Sequence, residues 1–201
     1  STEHEAQLSW RSVRHHFRLD NTKSIIADIG GGSLELVGAV DGLVEMSRSL
    51  PYGAVRLTEQ FLPGKRAAHR EVAALRKHLG KRLTRQLPKR AWIGARVIGS
   101  GGTFTNLGRM AVARRGGDPN EPVHGIEVSV AEVEHLVEWL STRTALQRRS
   151  VPGLNPERAD IILAGLTVIA SVLERLDAGS VTVSAYGLRE GLLWEMVGAS
   201  V

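Results

Sequence analysis

The spacing of apolar and polar positions changes several times along this chain, and each change marks an element. Residues 24–29 form a short apolar run that carries one acid, Asp28, and three glycines, Gly30 to Gly32, end it. Residues 33–40 resume a strand-like pattern. Asp41-Gly42, a two-residue hairpin signal, then leads into a third strand at 43–50. The core is therefore expected to open as a three-strand antiparallel meander. Beyond Pro51 and Gly53 the period lengthens. A short helix is expected at 55–61, stopped by Pro63-Gly64. A long one follows at 69–87, where Val72, Leu75, Leu79, Leu83 and Leu87 recur three and four apart and share one helical face. Residues 96–100 read as a strand, Gly101-Gly102-Thr103 opens a helix that ends near 113, and 114–122 is a polar loop. Ser129, with Glu132 three positions on, is a capping-box start for a helix at 130–141. Residues 157–176 are apolar around most of a helical circumference, so that helix needs cover on two sides, from the sheet and from a further domain or partner. A strand at 181–184 and a terminal helix at 188–197 complete the chain.

Three adjacent strands followed by helices alternating with single strands predict an α/β domain with a mixed five-stranded sheet and flanking helices. Residues 1–20 fit none of this; they are polar and read as a helix or linker outside the main core. The length, 201 residues, suits one large domain or two small ones. The first residue is Ser rather than Met, as expected of a fragment. The absence of cysteine excludes a disulfide scaffold, a thiol nucleophile and a cysteine zinc site. The longest apolar stretch, 161–173, is broken by Gly165, Thr167 and Ser171 and falls short of the ~20 residues that span a bilayer. No membrane partner is expected, and the expected compartment is the cytoplasm.

The net charge of +5 is concentrated. Residues 65–90 hold ten of the basic residues and one acid, Glu71, so the chain has one basic segment and is otherwise acidic. Within it Arg76, Lys77, Lys81, Arg82 and Arg85 lie off the apolar stripe and are expected to face solvent. Such a face is usually just solvated, although it can attract a polyanion. It lacks interleaved aromatics, so a nucleic-acid partner is not expected. The histidines show no metal-binding spacing.

Chemistry concentrates at two glycine loops. In Asp28-Ile29-Gly30-Gly31-Gly32-Ser33, followed by Glu35, the acid ends a buried strand. The glycines let backbone N–H groups approach an anion, and Ser33 adds a hydroxyl. Asp28 and Glu35 flank one tight turn and can face one pocket, where carboxylate oxygens beside bound phosphate suit Mg²⁺. A bare glycine triplet would be read as a hairpin turn; the flanking acids and hydroxyl favour a phosphate loop. Gly99-Ser100-Gly101-Gly102-Thr103 joins a strand to a helix start, an anion site by virtue of its unpaired N–H groups. Alone it is a turn with Thr103 as N-cap; beside the first loop it makes a two-loop phosphate clamp.

This pairing resembles the actin-like, ribonuclease-H-like phosphate-binding domain, and further segments narrow the resemblance. Asp28 to Leu36 resembles the Asp-Ile-Gly-Gly-Gly-Ser-Thr-Glu-Leu segment of the exopolyphosphatase/guanosine pentaphosphatase (Ppx/GppA) family. Glu5-Ala6-Gln7-Leu8 resembles its Glu-Ala-Arg-Leu, Pro152 to Arg158 its Pro-Gly-Leu-x-x-Glu-Arg, and Leu188 to Gly191 its Leu-Arg-Glu-Gly. Gln7 stands where the family has Arg, and Leu34 where it has Thr.

The resemblance implies the second of two actin-like domains, with residues 1–22 as the interdomain segment and 23–201 as the domain itself. It implies hydrolysis of a terminal phosphoanhydride of polyphosphate or guanosine pentaphosphate. Glu5 would be the catalytic base, Asp28 and Glu35 the ligands of Mg²⁺ or another divalent cation, and Gly30 to Ser33 the phosphate cradle. Gly101, Gly102 and Thr103 would form the second loop, and Arg158, which could otherwise form a surface ion pair with Glu157 or Asp160, would bind the anion. Arg189 and Glu190 read as structural. The first domain, or a second chain in a homodimer, would complete the cleft. Two other readings stand beside this one: half of an ATP-dependent kinase of the same superfamily, and a non-catalytic nucleotide- or polyphosphate-binding module.

Overall fold

The computed structural model describes residues 2–64, 66–187, 190 and 192, with the side chains of residues 2–7 and 9 outside that description. Helix α1 (Thr2–His16) precedes the expected meander of β1 (Lys23–Ile29), β2 (Leu34–Val40) and β3 (Leu43–Leu50). Then follow α2 (Ala54–Phe61), α3 (His69–Gln86), the single turn α4 (Lys89–Trp92), β4 (Arg96–Ser100) and α5 (Gly102–Arg114). The chain continues with β5 (Glu127–Ser129), α6 (Val130–Ser141), the short α7 (Ala145–Arg148), α8 (Ile162–Leu176) and β6 (Ser180–Val183).

The sheet order is β3-β2-β1-β4-β6-β5. The meander is antiparallel, β4 and β6 join it parallel to β1, and β5 closes the edge antiparallel to β6. The sheet thus has six strands among the described residues, not the expected five. The added strand, β5, is three residues long, too short for an alternating pattern, and exists through its pairing with β6.

The main core lies on one face of the sheet, where α8 is enclosed by α2, α3, α5 and α6. Every residue from Ile162 to Leu173 is buried. The helix therefore finds its cover within this chain, and the expectation of a second face left for a partner is corrected. Its two buried hydroxyls bond back up the helix, Thr167 to the Leu163 carbonyl at 2.7 Å and Ser171 to that of Thr167 at 2.8 Å. The expected helix start at residue 157 is also corrected. A single 3-10 turn at Pro156–Arg158 precedes α8, because Asn155 caps that turn by accepting from Glu157 N. Arg158 is thereby placed on a tight turn and not along a helix. The capping box forms as read: Ser129 Oγ accepts from Glu132 N, and Glu132 accepts from Ser129 N.

On the opposite face α1 builds a second, smaller core. Trp10 and Val13 pack there with Leu19, Ile26, Val37, Ala39 and Ile98. The basic helix α3 exposes Lys77, Lys81, Arg82 and Arg85 as expected. Arg76 differs: it is half-buried and ion-paired to Glu134 of α6. The expected terminal helix at 188–197 lies, apart from residues 190 and 192, outside the described residues.

Candidate functional site

Strand register assembles the acidic part of the site. Asp28 pairs across the antiparallel ladder with Glu35, Glu35 with Ser49 on β3, and Asp28 with Ser100 on β4. Residues paired across a ladder point to one face, so Ser49, Glu35, Asp28 and Ser100 form a polar row across four strands. Each acid has a serine beside it: Ser49 Oγ donates to Glu35 Oε1 at 3.1 Å, and Ser100 Oγ donates to Asp28 Oδ2 at 2.8 Å. Asp28, Glu35 and Ser100 each stand two residues from a strand position packed against α1, namely Ile26, Val37 and Ile98. The row therefore lies on the face that α1 covers. Glu5 belongs to α1, and its side chain lies outside the described residues.

The first glycine loop, Gly30 to Ser33, is oriented from behind. Gly30 carbonyl accepts Ala54 N at 2.9 Å, and Gly31 carbonyl accepts Val55 N and Arg56 N at 3.0 and 3.1 Å. Arg56 Nε donates to the Gly32 carbonyl at 3.2 Å. These bonds satisfy the otherwise orphaned N–H groups at the start of α2. In a trans peptide the N–H points opposite to the C=O, and the described chain has no cis bond. With three successive carbonyls turned towards α2 and Arg56, the N–H groups of Gly31, Gly32 and Ser33 are turned away from them. Gly53 makes the close approach possible: a Cβ there would fall inside the contact distance of Ser33 N and the Gly31 carbonyl.

The second loop opens α5. Gly101, at φ +85°, is its N-cap, and a Cβ on it would stand 2.5 Å from Asp28 Oδ1. Thr103 would be the N-cap of a plain turn, but that position falls to Gly101. Thr103 lies inside the helix, buried, with its hydroxyl donating to the Ile29 carbonyl at 3.4 Å. Thr105 lines the cavity instead. Arg158 packs its guanidinium over Gly102, in the space that a Cβ would occupy. Among the described residues it makes no ion pair, so Glu157 and Asp160 are not what hold it.

Asp28, Gly30, Gly31, Ser33, Glu35, Gly101, Gly102 and Arg158 together line one open cavity of about 610 Å³. Eight residues expected from sequence are thus brought to one place; Gly32 and Thr103 are beside it rather than on its wall. The same wall holds Thr105, Ala185, Gly187 and Glu190, which sequence reading missed or took as structural. Glu190 Oε2 accepts Gly187 N at 2.8 Å, and Gly187 lies against Ser100 and Asp28. The glycine before Leu188-Arg189-Glu190 was the available signal. Arg189 lies outside the described residues.

Such a cavity brings two glycine loops, an arginine and paired carboxylates together. Among the described residues no three metal-ligating side chains converge. Two adjacent carboxylates beside glycine-loop N–H groups nevertheless fit a divalent cation such as Mg²⁺, which takes one or two carboxylates and completes its shell with other oxygens and water. No helix among the described residues is long and apolar enough to cross a membrane.

A model of the Ppx/GppA phosphatase family matches residues 1–200. Exopolyphosphatase 1 of Mycobacterium leprae is 33% identical over 193 residues, covering 94% of this chain and 56% of that protein. Exopolyphosphatase 2 of Mycobacterium tuberculosis is 29% identical over 204 residues, covering 96% of this chain and 62% of that protein. The crystal structure of the Aquifex aeolicus Ppx/GppA family member superposes with a TM-score of 0.86 at 27% identity, over 97% of this chain and 62% of that one. In each comparison the chain spans less than two thirds of its relative.

Proposed function

The chain belongs to the Ppx/GppA phosphatase family, and from the half-cleft it presents we propose that it is the second domain of a hydrolase that removes the terminal phosphate of polyphosphate or guanosine pentaphosphate. The observation that carries this reading is the convergence of both glycine loops, the Asp28–Glu35 pair and Arg158 on one cavity. In it, N–H groups of the first loop and the start of α5 hold the phosphoryl oxygens, and Arg158 balances their charge. Asp28 and Glu35 would hold a divalent cation such as Mg²⁺, which would supply charge neutralisation at the phosphate. Glu5 takes a proton from the attacking water. The water oxygen bonds to the terminal phosphorus, the bridging P–O bond breaks, and orthophosphate leaves with the chain one unit shorter. Residues 1–22 form the interdomain segment and 23–201 the domain, and the other wall comes from a first actin-like domain or a second copy of this chain. A cytoplasmic location, beside nucleotide and polyphosphate pools, is part of this proposal.

The test is Mg²⁺-dependent orthophosphate release from each substrate, by the chain alone and with a first domain added. The chain alone is expected to be nearly silent, and the pair active. Glu5→Ala is expected to lower the restored rate by about 10²–10⁴-fold, the usual contribution of a positioned base, and Asp28→Ala to abolish the Mg²⁺ dependence. Restored turnover that neither substitution affects overturns the proposal.

A further inference from the structure

Asn106 lies four residues along α5 from Gly102, its side chain buried. Both ends of its amide are used. Nδ2 donates to the Gly102 carbonyl at 2.7 Å, and Oδ1 accepts Asn155 N at 2.6 Å. The two partners fix the orientation of the amide, since a carbonyl requires the NH₂ and an N–H requires the oxygen. Asn155 in turn starts the tight turn that carries Arg158. Its carbonyl accepts Arg158 N at 2.9 Å, and its own Oδ1 accepts Glu157 N at 3.0 Å. Arg158 then lays its guanidinium back over Gly102. The contacts close on themselves: Gly102, Asn106, Asn155, Arg158 and Gly102 again. A second weld lies beside this ring. Gly153, at φ +81°, brings its segment so close to α5 that a Cβ would stand 2.5 Å from the Arg109 carbonyl. The turn from Gly153 to Arg158 is thus seated on the helix, and among the described residues Asn106 is a buried side chain that bonds to both.

We propose that Asn106 is the positioning residue of the anion clamp: it fixes the distance between the second glycine loop and the Arg158 guanidinium, and so sets how tightly a terminal phosphate is gripped. This rests on the reading of Arg158 and Gly101-Gly102 as phosphate-binding. Arg158 has no ion pair of its own among the described residues to hold it. A five-donor fork discriminates phosphate geometry when its base is fixed. Asn106 supplies that fixity through the backbone of Asn155 and never touches the substrate itself.

The experiment measures binding of inorganic tripolyphosphate to the full 201-residue chain by calorimetry, for Asn106→Ala, Arg158→Ala and the double variant. Arg158→Ala is expected to weaken binding about 10–100-fold and Asn106→Ala about tenfold, in line with losing charge-assisted hydrogen bonds. Since Asn106 acts through Arg158, the double variant is expected to bind within about twofold of Arg158→Ala, the non-additivity of coupled residues. Asn106→Asp separates the two halves of the amide. It keeps the acceptor for Asn155, but at neutral pH sets a carboxylate against the Gly102 carbonyl. Its affinity relative to wild type is expected to recover between pH 8 and pH 5, as protonation restores the donor. A purely structural role would leave that ratio flat. If Arg158→Ala binds as wild type, the phosphate role of Arg158 falls, and this proposal with it. If Arg158→Ala weakens binding while folded Asn106 variants do not, or if the two effects add, the positioning role alone is overturned. Should Asn106→Ala fail to fold, the near-isosteric Asp variant decides, and a flat pH ratio refutes the proposal.

Discussion

The two glycine loops reach one cavity by opposite constructions. Gly30 to Ser33 is a hairpin turn with no intrinsic reason to present donors. Its N–H groups are turned away from α2 because α2 and Arg56 capture its carbonyls from behind. Gly101-Gly102 needs no such help, since the first N–H groups of any helix are unpaired and point along its axis. What the second loop lacks is a counter-charge, which arrives from a distant turn through Arg158. The first loop is therefore shaped by packing and the second by attachment. Damage to the first should appear as lost stability, and damage to the second as lost affinity.

Gly53→Ala is the strongest way to break this contrast. Its Cβ would meet backbone atoms of Gly31 and Ser33, which cannot swing aside. A loss of about 3 kcal/mol is expected, at the upper end of overpacking effects, seen as a lower urea midpoint together with lost tripolyphosphate binding. Unchanged stability would mean the first loop is not set by packing. Gly102→Ala should move the two readouts apart. The atom it meets is the movable end of Arg158, and Ala is favoured over Gly in a helix by about 0.5–1 kcal/mol. Thermal stability should hold or rise while affinity falls about tenfold; a parallel fall in both would erase the distinction.

The smallest expected effect concerns the segment flanking the second loop. Tyr186, just before Gly187, stacks on His16 at 3.7 Å between ring centres, and His124 meets both rings. Burial, and then the charge of His16, holds His124 below the ordinary histidine value of 6.5. The unfolded chain therefore takes up that proton first as the pH falls. Stability from this site is complete above pH 6.5 and is lost as pH drops through that value towards the folded one. The wild-type urea midpoint should fall more steeply from pH 7 to pH 5.5 than that of His124→Asn. Depression of His78, by burial and then by Arg82, is common to both proteins and cancels. Equal slopes would remove His124 from the account.

What could be read from the sequence was what neighbours along the chain decide. The meander, both glycine loops and the Ser129–Glu132 box depend on residues within a few positions of each other, and each forms where the pattern put it. The acids Asp28 and Glu35 came together because a hairpin fixes register. What escaped was decided by distant contacts. Strand β5 exists only against β6, and Arg76 leaves solvent for an acid on another helix. Thr103 and Thr105 are indistinguishable as sequence; the bond to the Ile29 carbonyl turns one inward, and the other lines the cavity. Asn106 reads as an ordinary polar residue in a helix until Asn155 is seen beside it.

The capture of the Gly30 and Gly31 carbonyls by the start of α2 has an electrical consequence. A peptide whose oxygen accepts a hydrogen bond is polarised, and its N–H becomes a stronger donor, by roughly 10–30% per bond in condensed-phase estimates. The oxygens here are bound by the positive end of a helix dipole. On the proposed function, helix α2 would thereby act on a bound anion without presenting one N–H to it. Its field would be relayed through two peptide planes of the hairpin, which serve as a borrowed extra turn.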